Sequence, residues 1–161
     1  MAEQQAAARE SFSSIQVGQS IQGQPFSVSR ESIQRFADGS LDYNPLHFDD
    51  EYMKNEFGKT RFGGVIMHGM QNFALITRTL TDWLLPQGGY HRRLETRWRK
   101  PVYPGDVITT HATVSDKFET EKSRWVTFDI EVKNQKGQAV ATGQSMAEFP
   151  DKFPGRVGSP T

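Results

Sequence analysis

Three side chains able to move protons or anchor hydrogen bonds crowd one short stretch, "GSLDYNPLHFDD", residues 39–50. Asp42, Asn44 and His47 flank an Asn-Pro step, and a residue before proline is kept out of helical backbone. Pro45 therefore stiffens a turn across which Asp42 and His47 can converge. An imidazole titrates near neutral pH and a carboxylate can accept its second hydrogen bond, so the pair can orient and activate a water. The same residues would also make an ordinary turn: an Asx-Pro step starts one, Asp42 can bond nearby amides, and His47 can precede a helix cap. A second feature favours chemistry. His68-Gly69 stands where a long apolar helix is predicted to begin; amides at a helix start attract anions, and glycine lets a ligand oxygen come close to the backbone. An acid/base pair beside such a donor is the minimum needed for chemistry next to a carbonyl.

These residues must be positioned by the elements around them. Ser29 is placed to cap a helix over residues 30–37, with Ile33, Phe36 and Ala37 on one face and Asp38-Gly39 as its stop. A second short helix is predicted in "DDEYMKNEF", where Asp49 and Asp50 suit the positive N-terminal end. From Met70 to Leu85, Met70, Phe73, Ala74, Ile76, Leu80 and Leu84 recur at helical spacing, and Leu75 and Trp83 widen the stripe to that of a mostly buried helix. The second half changes period. Val126, Phe128, Ile130 and Val132 alternate with Trp125, Thr127, Asp129 and Glu131, a strand with one buried face. With "LETRWR", "VITTHATVS" and "AVATGQSMAEF" it predicts an antiparallel meander, preceded by a strand near "QPFSVS". One long helix wrapped by a curved antiparallel sheet is an α+β solution, the hot-dog layout; an open α/β sandwich is the alternative.

Length and composition bound the rest. The 161 residues suit one domain, read as residues 16–150, with flexible extensions over 1–15 and 151–161. Nineteen basic residues balance nineteen acidic ones, which speaks against a nucleic-acid partner and leaves little repulsion against a homodimer. The chain has no cysteine, so disulfides, thiolate nucleophiles and Cys-ligated metals are excluded. No apolar run reaches the ~20 residues of a membrane span. Residues 1–14 lack the apolar core of a secretory signal, and a cytoplasmic location is expected.

The stretch "SLDYNPLHFDDEYMKNEFGKTRFGGVIMHGM" resembles the MaoC-like dehydratases, a group that includes the (R)-specific enoyl-CoA hydratases. Their pattern, of the kind S-G-D-x-N-P-[LIV]-H-x-D followed by an apolar-H-G-M step, is matched by Ser40, Asp42, Asn44, Pro45, Leu46, His47 and Asp49, then by His68, Gly69 and Met70. "PVYPGD", residues 101–106, matches a connection between strands, and the likeness spans roughly residues 25–149. It implies a hot-dog fold and a hydro-lyase acting on trans-2-enoyl thioesters of coenzyme A or acyl-carrier protein, with no metal or redox cofactor. It implies Asp42 and His47 as the catalytic pair, Gly69 as the donor to the thioester oxygen, Asn44 as a support within the site, and Thr77 as a brace for the catalytic loop. His68 is grouped with the substrate-binding residues. Leu41 and Met53 depart from the pattern, which has glycine at the first position and a small residue at the second.

A cationic run, Arg92, Arg93, Arg97, Arg99 and Lys100, surrounds the single Glu95. It serves either as a solvated strand face or, through Arg97 and Arg99, as a binding surface for coenzyme A phosphates. Strand alternation prevents all five from meeting one ligand. His91 and His111 are read as surface or strand residues. Two other functions compete with this one. A hot-dog thioesterase needs a carboxylate in the central helix, where only Asp82 stands, near the far end. A non-catalytic acyl-thioester-binding dimer would lack the catalytic pair.

Overall fold

Ser29 opens the helix predicted over residues 30–37 as the sequence requires: its Oγ accepts from the Ser32 N–H, and the Ser32 Oγ accepts from the Ser29 N–H, both at 3.0 Å. The computed structural model describes residues 12–55 and 62–150. Within them β1 (Ser20–Gln22) and β2 (Phe26–Ser27) precede α1 (Arg30–Ser40), a 3-10 turn at Pro45–His47 and α2 (Asp50–Asn55). Then follow α3 (Gly69–Leu84), a 3-10 turn at Leu85–Gln87, β3 (Tyr90–Trp98), β4 (Val107–Glu119), β5 (Ser123–Asn134) and β6 (Ala139–Pro150).

Helix α1 runs through the expected Asp38-Gly39 stop. One interior glycine costs only about 1 kcal/mol, and the last turn is tied by Gln34 donating to Asp38 Oδ1. What ends the helix is Leu41, held in the left-handed region at φ 60° with its N–H on the Ala37 carbonyl at 2.7 Å. Glycine takes this conformation freely; a side chain is strained by it.

The strands form one antiparallel sheet in the order β1-β4-β5-β6-β3, with β2 also on β4. Val126, Phe128, Ile130 and Val132 turn inward onto Ile76, Leu80 and Leu84 of α3, and all seven are buried in one core. This is the hot-dog architecture, not the open sandwich. The expected four-stranded meander is corrected to three strands, β4-β5-β6. β3 pairs with β6 at the opposite edge, so "PVYPGD" is a crossover and not a hairpin turn. Strand order is set by long-range pairing, which turn composition does not encode. The crossover passes the start of α3, where the Met67 N–H donates to the Val102 carbonyl at 2.8 Å.

The expected flexible extension over 1–15 is corrected at its end. Phe12 and Ile15 are buried in the core, Phe12 packs against Phe149, and the Lys117 ammonium donates to the carbonyls of Phe12, Ser13 and Ile15. Residues 1–11 and the tail expected at 151–161 lie outside the described residues.

Candidate active site

Asp42, His47 and His68 converge: the side-chain atoms they offer lie within 4.8 Å of one another. Each is placed by a local device. Leu41 turns the chain out of α1. The Asp42 Oδ1 then accepts from the Asn44 N–H at 3.3 Å, and the Asn44 Oδ1 accepts from the Leu46 N–H at 3.2 Å. These two Asx turns, with Pro45 opening the 3-10 turn, carry the loop round to His47. The Tyr43 hydroxyl ties the loop back to α1 by donating to Asp38 Oδ1, and that carboxylate raises the phenol's pKa.

The two catalytic candidates differ in exposure. Asp42 is exposed and is not among the residues that line the cavity at this site, whereas His47 is 7% exposed and does line it. The second hydrogen bond expected between them is corrected by the structure. His47 Nδ1 lies 2.7 Å from the Ile66 carbonyl, which can only accept, so Nδ1 carries the proton and Nε2 keeps its lone pair. Residues 65–67 are fixed beside His47 by the α3 approach, and a carbonyl is as good a partner as a carboxylate without adding charge. Burial pushes the His47 pKa below the ordinary 6.5; the neighbouring His68 pushes the same way, against the Ile66 carbonyl and the Asp42 charge.

His68, the residue before α3, is 1% exposed. Its ring stacks on that of His47, centroids 3.6 Å apart, and is enclosed by Phe36 and Phe48. Its Nε2 meets the Asp42 backbone carbonyl at 3.0 Å, and its Nδ1 is buried without a partner. The ring thus has no open nitrogen for a substrate. Gly69 follows as the first residue of α3, where the N–H has no intrahelical acceptor. A Cβ there would lie 2.9 Å from the Trp98 indole, so glycine is what allows Trp98 to close over the helix start.

A cavity of about 500 Å³ opens here, lined by His47, His68, Gly69 and Asn72 on one side and by Trp98, Arg99 and Lys100 on another, with Ile66, Met67 and Val102 apolar between them. Of the two expected cationic residues only Arg99 lines it, its Nε also donating to Thr142 Oγ1 at 2.8 Å. Arg97 lies in a hollow on the outer face of the sheet, among Glu95, Asp129 and Gln144, and Arg99 with its partner Thr142 borders that hollow too. Arg92 and Arg93 pair with Glu148 and Glu95. Thr77 donates to the Phe73 carbonyl one turn back in its own helix and does not reach the loop. Met53 is fully buried and does not line the cavity. Asp82 pairs with Arg78 at 3.5 Å, near the other end of α3.

Asn72 and Trp98 were not expected in the site; Lys100 was, as one member of the cationic run. Asn72 is 3% exposed, with its Oδ1 unpartnered. Its signal in the sequence is a consecutive polar pair, Gln71-Asn72, at the start of an apolar helix.

Asp42, His47 and His68 also form a group with metal-ligating side chains. Their geometry does not fit a shared ion. A metal sits in the plane of an imidazole at about 2.0 Å, and two rings stacked face to face cannot both direct in-plane lone pairs at one point.

A sequence model described as the MaoC like domain matches residues 12–136. The chain belongs to that family. The match to the MaoC-like domain begins at Phe12, which among the described residues is the first in the core. The chain is 32% identical to the (R)-specific enoyl-CoA hydratase of Rhodospirillum rubrum over 117 residues, 73% of this chain and 76% of that one. It is 30% identical to the mitochondrial 3-hydroxyacyl-[acyl-carrier-protein] dehydratase of Arabidopsis thaliana over 124 residues, 76% of this chain and 71% of that one. Among solved structures, the R-hydratase PhaJ1 of Pseudomonas aeruginosa is similar with a TM-score of 0.74 at 26% identity, covering 93% of this chain and 94% of that one. These three relatives of the MaoC-like domain are named as hydratases or a dehydratase. No helix among the described residues is long and apolar enough to cross a membrane.

Proposed function

We propose that the chain is a hydro-lyase that reversibly adds water across a trans-2-enoyl thioester to give the 3-hydroxyacyl thioester. The observation that carries this reading is His47: its Nδ1–H is fixed on the Ile66 carbonyl, its other nitrogen keeps a lone pair, and the ring lines the cavity with the Asp42 side chain close by. A water held by both would have one hydrogen on the carboxylate and the other on His47 Nε2. As the water oxygen bonds to the β-carbon, His47 takes that proton and the electron pair moves to the thioester oxygen. The Gly69 N–H stabilises the charge building there, where a fixed dipole in a dry site helps most. The enolate then collapses and takes the proton from His47 at the α-carbon. The elements of one water have been added, and His47 is neutral again. Asp42 stays ionised throughout.

Arg99 and Lys100 at the cavity wall suit the phosphates of coenzyme A or of a carrier protein's prosthetic arm. No metal or redox cofactor enters these steps. β3 ends its side of the sheet, and a second copy pairing along that edge would give the working homodimer.

The test is the ultraviolet absorbance of short and medium trans-2-enoyl-CoA thioesters on adding protein, with a thiol reagent in parallel. Loss of the enoyl band without thiol release is expected, and His47→Gln or Asp42→Asn should slow it by roughly 10²–10⁴-fold. Thiol release would point to a thioesterase instead. Binding without either change would mean a non-catalytic acyl-binding dimer.

A further inference from the structure

The chemistry proposed above leaves the most buried polar ring of the site without a task. We infer that His68 is a positioning residue: it holds the Asp42 backbone and the His47 ring in one fixed relation, and neither of its ring nitrogens takes part in the reaction. The inference rests on the hydratase reading for its consequences and on geometry for its substance. The Asp42 carbonyl can only accept, so the His68 proton resides on Nε2, and the bond at 3.0 Å anchors the residue whose carboxylate lies close to His47. The opposite contact is the stack on His47. Because His47 is already pinned at Nδ1 by Ile66, a flat neighbour on its face removes the remaining freedom of the ring to tilt. Phe36 and Phe48 hold His68 in turn. The two residues that share the water thus come from one loop but are registered to each other through a third, 26 positions beyond Asp42.

A second consequence is electrostatic. The groups facing His47 are Asp42 from the loop after α1, His68 from the start of α3, and Arg99 and Lys100 from the end of β3 on the same cavity. The His68 ring in face contact disfavours a positive charge on His47, so it helps to keep His47 in the state that accepts a proton.

The test uses His68→Phe, which keeps a flat ring but removes the donor to Asp42, and His68→Gln, which keeps a donor without the ring. For His68→Phe we expect kcat for enoyl hydration to fall by about 10²-fold, the scale of a small misplacement of reacting groups, with KM little changed. His68→Gln should recover part of that loss. The His47 ring, followed by NMR titration, should protonate at higher pH in His68→Phe than in the wild type. A His68→Phe protein with wild-type kcat and an unchanged His47 titration would overturn the inference, as would a raised KM with kcat intact. If the wild type hydrates nothing, the hydratase reading fails, and the His47 titration alone then decides whether His68 governs that ring. Should His68→Phe not fold, His68→Gln carries the same titration.

Discussion

The Trp98 indole lies over the backbone of Gly69, so close that one added methyl group at Gly69 would fall 2.9 Å from it. A strand end at one edge of the sheet is thereby locked to the first turn of the central helix, at the amide proposed to hold the thioester oxygen. Gly69→Ala should displace Trp98 and move that amide's approach path. Steady-state kinetics should show kcat/KM for enoyl hydration lowered at least tenfold, about 1.4 kcal/mol of transition-state binding. Trp98→Ala combined with Gly69→Ala should recover part of it by removing the collision.

His47 must be neutral to take a proton, and its pKa lies below the ordinary 6.5. The acid limb of the kcat/KM profile should therefore fall below pH 6.5, with full activity at neutrality. An acid limb above pH 6.5 would show that His47 is not the group that titrates.

Stability should carry the same signature. His47 and His91 are both shifted down, each chiefly by burial, so the unfolded chain binds protons that the native protein resists. With more protons on the unfolded side, stability falls as pH drops through 6.5 towards the lower native values, and levels off beneath them. Thermal unfolding at pH 7.5 and 5.5 checks this. His91→Gln should reduce the drop in Tm between the two.

Leu41 adopts a left-handed conformation while 77% exposed, so its side chain gains little packing in return for the strain. Leu41→Gly should stabilise the protein by about 1 kcal/mol, raising Tm by roughly 2–4 °C for a domain of this size. Glycine also frees the hinge before Asp42, so kcat should not rise with stability.

Asn72 buries an amide oxygen that finds no partner among the described residues, and Gln71 beside it does the same. An unmet buried acceptor costs about 1–3 kcal/mol. Asn72→Leu should therefore raise the denaturation midpoint while weakening turnover of a polar thioester in the cavity. Loss of stability in that variant would mean the amide is structurally needed.

How much of this was readable in advance divides along physical lines. Asp42, His47, His68 and Gly69 were legible because proline, glycine and helix starts leave local marks. So were the buried helix and the alternating strands, whose periods repeat over many residues. The Ile66 carbonyl that fixes His47 was not, since a backbone acceptor has no letter of its own. Nor was the place of β3, because antiparallel neighbours are chosen across the whole chain. Leu41 was visible as a misfit to the pattern, but its reason is a backbone angle. Arg97 and Arg99 looked equivalent and do share a hollow on the outer face, but only Arg99, just past the end of β3, also borders the cavity.

The strap at the beginning of the domain has a bearing on the order of assembly. Lys117 reaches the Phe12 carbonyl across 105 positions of sequence, and Phe12 meets Phe149 near the end of the last strand. Neither contact can form until β4 and β6 are in place, and such distant closures are made late. The strap is thus a latch, shut only on a finished sheet, and it should be the first part of the domain to release hydrogen-exchange protection when the fold is stressed.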